Sequence, residues 1–163
     1  MFSLSICPHS MATPAFLKQV IAIKNVAWSH SEESQWAWMQ NNLNPEDLHC
    51  LLLEDEHPIG YVNLVNEQLI DGNENSIWIW GIGNVCVAIK GKGYGAELME
   101  KTNEFITITK RVGLLLCHER VRNFYEKCGW VVNKEVIRPE NGILAMTYNF
   151  DNTIKYTYKG RLF

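Results

Sequence analysis

The sequence predicts a mixed α+β fold: one domain, residues 1–163, with a central and mostly antiparallel sheet flanked by helices. Three observations predict it. Short apolar runs bounded by turn residues alternate with segments of helical spacing. One run, residues 76–89, passes through a glycine turn into an amphipathic segment at 93–110. That segment leads to a wholly apolar run at 113–117, which makes a parallel crossover step with a splay between its two strands. Finally, 163 residues suffice for a single core that buries about 70% of the unfolded surface.

Taken in order, residues 1–12 read as a loose lead-in. Thr13 and Pro14 read as an N-cap and first-turn proline, with Phe16, Val20, Ile23 and Ala27 as the apolar face of a first helix. Ser31-Glu32-Glu33 opens a second helix with a capping hydroxyl and two carboxylates at the positive dipole end. Trp36 and Met39 give its apolar side. Residues 48–54 and 59–65 read as an antiparallel hairpin around Asp55-Glu56-His57-Pro58. A turn at 71–75 precedes the long strand 76–89, where Trp78 and Trp80 share a face by the period of two. Gly81 and Gly83 weaken that strand, the pattern of a bulge or of a ligand lying close.

The helix after the glycine turn carries Tyr94, Leu98, Phe105 and Ile108 at helical spacing. After strand 113–117, a helix over 119–128 puts Val121, Phe124, Tyr125 and Cys128 on one face and stops at Gly129. Residues 130–136 and 143–150 read as a final antiparallel pair joined by Arg138-Pro139-Glu140-Asn141-Gly142. The predicted order is two helices, three strands, helix, strand, helix, two strands.

Composition excludes several classes. The net charge of −3 and the lack of a basic stripe argue against a nucleic-acid partner. Five cysteines, an odd number without metal-ligand spacing, read as free thiols in a reducing cytoplasm, with no metal site. The N-terminus has no basic region ahead of an apolar run, so no signal peptide is read. No segment nears the ~18 consecutive apolar residues that span a bilayer, so no membrane partner is expected.

The chain is organised around Lys90-Gly91-Lys92-Gly93-Tyr94-Gly95. Glycines at every second position let the backbone turn its N–H groups towards a ligand. The helix start behind them adds unpaired amides and a positive dipole end, and Lys90 and Lys92 add charge. Such a turn suits a phosphate or pyrophosphate. It does not fit a P-loop, because no Gly-Lys-Ser/Thr follows at the right spacing, nor a dinucleotide fingerprint.

A second element, Phe124-Tyr125-Glu126-Lys127-Cys128-Gly129-Trp130, follows about thirty residues later, after the short buried strand. With these two elements in this order the sequence resembles the GNAT superfamily of acyl-CoA-dependent N-acyltransferases, from about residue 14 to residue 150. Lys90 stands at the Arg/Gln position of that family's pyrophosphate loop. The layout is also similar to the aminoglycoside 2′-N-acetyltransferases, with two departures. Gly83 stands where that group has a glutamate, and the tail Lys159-Gly160-Arg161-Leu162-Phe163 is basic where theirs is acidic.

The resemblance implies acetyl-CoA as co-substrate and no metal. It places the cofactor on Val85, Cys86, Val87, Lys90, Gly91, Lys92, Gly93, Tyr94 and Gly95. Tyr125 becomes the acid that protonates the departing thiolate; the alternative is that it only packs beside Val121 and Phe124. Gly83, Asn84, Trp80, Glu32, Glu33 and Phe163 become acceptor-side candidates. His118, Glu119 and the carboxylate of Phe163 are open choices for a base. Cys86 and Cys117 read as buried and inert rather than as nucleophiles.

The function the resemblance implies is transfer of an acetyl group to the primary amine of a small molecule, with an aminoglycoside-like acceptor as the narrower expectation. The rival is a GNAT-like acyl-CoA sensor without turnover. A third, weaker reading is acylation of a protein N-terminus or lysine. A homodimer is expected only because dimers are common in the superfamily.

Overall fold

The computed structural model describes residues 1–136 and 142–163. The turn expected over Arg138-Pro139-Glu140-Asn141 lies outside the described residues. Among those described, the strands are β1 (Phe2–Pro8), β2 (Leu48–Glu54), β3 (His57–Asp71), β4 (Ser76–Val87), β5 (Val112–His118), β6 (Val131–Val132), β7 (Ile143–Tyr148) and β8 (Tyr156–Tyr158). The helices are α1 (Pro14–Ala27), α2 (Glu32–Asn42), α3 (Tyr94–Ile108) and α4 (Arg122–Lys127). The sheet order is β1-β2-β3-β4-β5-β7-β6, with β8 added to β3. Pairs β1–β2, β2–β3, β3–β8, β5–β7 and β6–β7 are antiparallel and β4–β5 is parallel, the mixed sheet the sequence predicts. The chain divides into two compact units, Met1–Val65 with Gly83–Thr102 and Asn66–Ile82 with Asn103–Phe163. Strands β3 and β4 and helix α3 run through both.

In the first unit, residues 1–12 are not a loose lead-in. They form β1, which pairs along its whole length with β2, from Phe2 opposite Glu54 to Pro8 opposite Leu48. Phe2, Leu4 and Ile6 alternate with Ser3, Ser5 and Cys7, a period of two that supports a strand once a partner edge exists. A short 3-10 turn, His9–Met11, follows. Thr13 then caps α1, its Oγ1 accepting from Phe16 N at 3.2 Å.

The buried side of α1 is Leu17, Val20, Ile21, Ile23 and Lys24, whereas Ala27 is exposed. The apolar stripe is therefore rotated from the Phe16–Val20–Ile23–Ala27 face expected. Ser31 caps α2 by accepting from Ser34 N at 3.1 Å, and Met39 is fully buried against Leu51, Tyr61 and Cys86. The β2–β3 turn uses Asp55 and Glu56 at φ 47° and 70°, and β3 runs on to Asp71 rather than ending at 65. Along α3, Leu98, Met99, Thr102 and Ile106 are buried. Ile108 is exposed, so the face there is shifted too.

In the second unit, β4 pairs with β5 from Ile79 opposite Val112 to Ile82 opposite Leu115. Beyond β5 the chain makes a 3-10 turn, Glu119–Val121, before α4. Val121 is exposed, contrary to the expected helix face. Gly129, at φ 86°, ends α4 as expected. Its amide donates to Glu126 O, and Trp130 N donates to Tyr125 O. The tail contains β8, missed in the sequence, which pairs with Leu69, Ile70 and Asp71 of β3.

Trp130 is 1% exposed and donates its indole N–H to Asn103 Oδ1 at 3.0 Å. Gly113 lies beneath it: a Cβ there would sit 2.5 Å from the indole ring and 3.1 Å from Ile106. Because the indole is fixed by its hydrogen bond, it cannot move aside freely. Gly113→Ala is therefore expected to destabilise the protein by about 1–3 kcal/mol through overpacking, measured from urea unfolding.

Candidate functional site

The glycine turn lies in the first unit. Strand β4 reaches Val87, and Ala88 N donates to Ile59 O at 2.8 Å. Residues Ile89 to Gly93 are exposed. Gly91 and Gly93 take φ 79° and 81°, and a Cβ on either would meet nothing within 4 Å. Their need is thus conformational, since this region of φ strains any residue with a Cβ. The amides of Ala96 and Glu97 turn back to Gly93 O at 3.0 and 3.2 Å and close the first turn of α3. Earlier amides of a helix have no carbonyl of their own helix to reach. The Tyr94 hydroxyl is engaged elsewhere, donating to Glu54 Oε2 at 2.7 Å. Any role for Tyr94 in cofactor binding therefore falls to its backbone.

On β4, Gly83 and Cys86 are buried while Val85 and Val87 are half-buried. Asn84 adopts φ 54° and breaks the regular strand there. Its Nδ2 donates at 2.6 Å to Oδ1 of the fully buried Asn63, whose own Nδ2 has no partner among the described residues. Burial pushes the Cys86 thiol up to about 12, and Lys24 only partly offsets this. Burial likewise raises Cys117, whose Sγ meets Met146 Sδ at 3.7 Å. Neither is a thiolate at neutral pH.

In the second unit Tyr125 is half-buried on α4, edge-on to Phe124 with ring centroids 5.0 Å apart. Burial, then the nearby Cys117 and Cys128, push its hydroxyl up to about 12. It stays protonated at neutral pH. His118 begins the 3-10 turn without a side-chain capping bond. Glu119 is committed to Arg122, 3.3 Å away.

The acceptor-side expectations fare differently. Trp80 is 6% exposed, with Arg111 4.0 Å from its ring centre and the Phe105 ring centre at 5.9 Å. Its indole N–H donates to Thr109 Oγ1 at 3.1 Å. That is a structural setting rather than a cavity wall. The close approach expected at Gly81 comes from the chain itself, because a Cβ there would fall 2.6 Å from the Phe163 ring. Glu32 and Glu33 are exposed at the start of α2, where Glu32 Oε1 accepts from Trp36 Nε1 at 3.4 Å.

Sequence reasoning missed a cavity of about 370 Å³ in the first unit. It is lined by Lys24, Trp28, Gln35, Trp38 and Asn84 among others. Lys24 is 2% exposed, with its Nζ 4.0 Å over the Trp38 ring. The signal was a lysine at the i+4 position from Val20 and i+7 from Leu17, on the buried side of α1. Also missed was the chain His9 Nδ1–His49 Nε2 (2.9 Å) and His49 Nδ1–Tyr61 Oη (2.8 Å).

The Acetyltransferase (GNAT) family matches residues 14–130. The chain belongs to the GNAT family. That family is one of acyl-CoA-dependent acyltransferases. No curated protein matches the chain by sequence. Among solved structures, Escherichia coli ElaA shares 19% identity at a TM-score of 0.62, covering 90% of this chain and 99% of its own. An acyl-CoA N-acyltransferase from Pseudomonas aeruginosa shares 18% at 0.63, with the same coverage of 90% and 99%. The catalytic domain of a Tetrahymena histone acetyltransferase, in complex with coenzyme A, shares 14% at 0.62, covering 93% and 95%. At these identities the structural likenesses concern the fold.

Within the described residues of this GNAT chain no helix is long and apolar enough to cross a membrane, and no group of His, Cys, Asp or Glu could hold a metal ion.

Proposed function

We propose that this GNAT protein transfers the acetyl group of acetyl-CoA to the primary amine of a small molecule. The observation that carries the reading is the Lys90–Gly95 turn, with two open left-handed glycines between the end of β4 and the start of α3. Its backbone suits a pyrophosphate, with Lys90 and Lys92 exposed beside it. The coenzyme A held by the Tetrahymena neighbour supports the choice of ligand.

Acetyl-CoA supplies an activated thioester. In this reading the backbone amides of Val85, Cys86 and Val87 polarise its carbonyl, and each such donor can be worth about 3 kcal/mol of barrier. Tyr125 donates its phenolic proton to the departing thiolate. Neither Gly83 nor Asn84 supplies a carboxylate, so in this reading the attacking amine gives up its proton to solvent water rather than to a glutamate at that position.

Gly93→Ala is expected to weaken coenzyme A binding about tenfold, because left-handed backbone costs a residue with a Cβ about 1–2 kcal/mol. Calorimetry with acetyl-CoA and free coenzyme A measures it, and no binding near micromolar by the wild type would defeat the reading. A thiol-release assay across alkylamines, amino acids, polyamines, peptides and aminoglycosides then separates an enzyme from an acyl-CoA sensor. Binding without release from any amine would favour the sensor.

A further inference from the structure

The cavity beside α1 and α2 is lined by a buried lysine that has no acidic partner among the described residues. Lys24 is almost wholly buried yet lines this space. Its Nζ rests on the Trp38 face. Among the described residues, no carboxylate pairs with it. The group that favours its charge is the Cys86 thiol, which is un-ionised at neutral pH. Burial lowers the Lys24 ammonium to about 8, so it remains largely charged at neutral pH. Burying an unpaired ammonium is strongly unfavourable, and an apolar side chain of similar length would fill the same volume without that cost. Asn84 also lines the cavity, and its amide donates to the buried Asn63, whose own Nδ2 has no partner among the described residues.

We propose that Lys24 is the docking cation for the acceptor, and that the acceptor is an amine bearing an anionic group, seated against Trp28 and Trp38. The anion is a carboxylate or a phosphate; both accept charge-assisted hydrogen bonds from an ammonium. The inference rests on the N-acyltransferase reading above and narrows its substrate. Polycationic acceptors such as aminoglycosides are disfavoured, because Lys24 would repel them.

The test uses probes that lack an amine. 3-Phenylpropionate, 2-phenylethyl phosphate and the neutral 3-phenylpropan-1-ol are titrated calorimetrically into the full chain. At least one anion is expected to bind about tenfold or more tightly than the alcohol, the advantage of a hydrogen bond to a charged group. Which anion binds tighter separates carboxylate from phosphate. Lys24→Met should abolish the preference while leaving the affinity for acetyl-CoA unchanged. Trp38→Leu should weaken all three probes together while retaining the preference.

Equal binding of the three probes, binding of none at millimolar concentration, or a preference that survives in Lys24→Met would overturn the proposal. Since the probes need neither cofactor nor turnover, a protein that fails to bind acetyl-CoA or release thiol would overturn the N-acyltransferase reading instead.

Discussion

Tyr125→Phe is expected to lower kcat by about two orders of magnitude and to leave acetyl-CoA affinity unchanged, because a positioned general acid contributes about 10²- to 10⁴-fold. Removing one oxygen keeps the ring against Phe124 and preserves α4 packing. The high pKa of about 12 suits this role in a particular way. A phenol in dry surroundings stays protonated throughout the working range, so it can act as a donor and not as a base. The same surroundings raise thiols, as burial raises Cys117, and so they also make a departing thiolate a better proton acceptor. Loss of kcat through ionisation of Tyr125 itself should therefore not begin until above about pH 10. Steady-state kinetics at saturating substrate, with calorimetry of acetyl-CoA as the control, reads both quantities. Full turnover by Tyr125→Phe would leave the tyrosine as packing only.

The second large effect is on acid stability. His49 is fully buried between His9 and Tyr61. Burial first, then the positive charges of His9 and Lys24, lower it from 6.5 to about 3. Its folded pKa lies below its unfolded one. Between those values the unfolded chain binds a proton that the folded chain refuses. Stability is therefore fully present above about pH 6.5 and is lost as the pH falls towards 3, by up to about 1.4 kcal/mol per unit. From pH 6.5 to 4.5 the expected loss from His49 is about 2–3 kcal/mol in urea unfolding. His9 is lowered by burial as well and adds with the same sign. The hydrogen-bonded carboxylates of Asp55, Asp71 and Asp151 are held below their ordinary 3.8, so their loss comes at lower pH and does not mask this window. His49→Gln keeps a donor and an acceptor for its two neighbours and removes the titration; it should flatten the slope. An unchanged slope in that variant would assign the acid lability elsewhere.

Much of the fold was legible because its signals are local. Thr13 and Ser31 cap the first two helices through amides three residues away. Gly129 ends α4 by its own φ, and the Lys90–Gly95 turn is visible as spacing alone. Where pairing is remote, reading failed. Strand β1 has a clean alternation, yet it is a strand only because β2, more than forty residues away, supplies its hydrogen bonds. β8 likewise depends on the far end of β3. Helix faces were misplaced for a related reason: Phe16 or Leu17, and Ile106 or Ile108, are equally apolar in sequence, and only the packed partners select one.

The sequence by itself determined the order of most helices and strands, the presence of the glycine turn at Lys90–Gly95 and the resemblance to GNAT acyltransferases. Each is written in the identities and spacing of adjacent residues. The tertiary structure decided where charge and polarity are buried. Lys24 is an ordinary helix lysine until α2 brings Trp38 beneath its ammonium and β4 brings Asn84 to the same cavity. Trp80 is a candidate cavity wall until the fold buries it beside Arg111 and Phe105. Burial and electrostatic environment are sums over elements distant in the chain, and the fold brings those elements together.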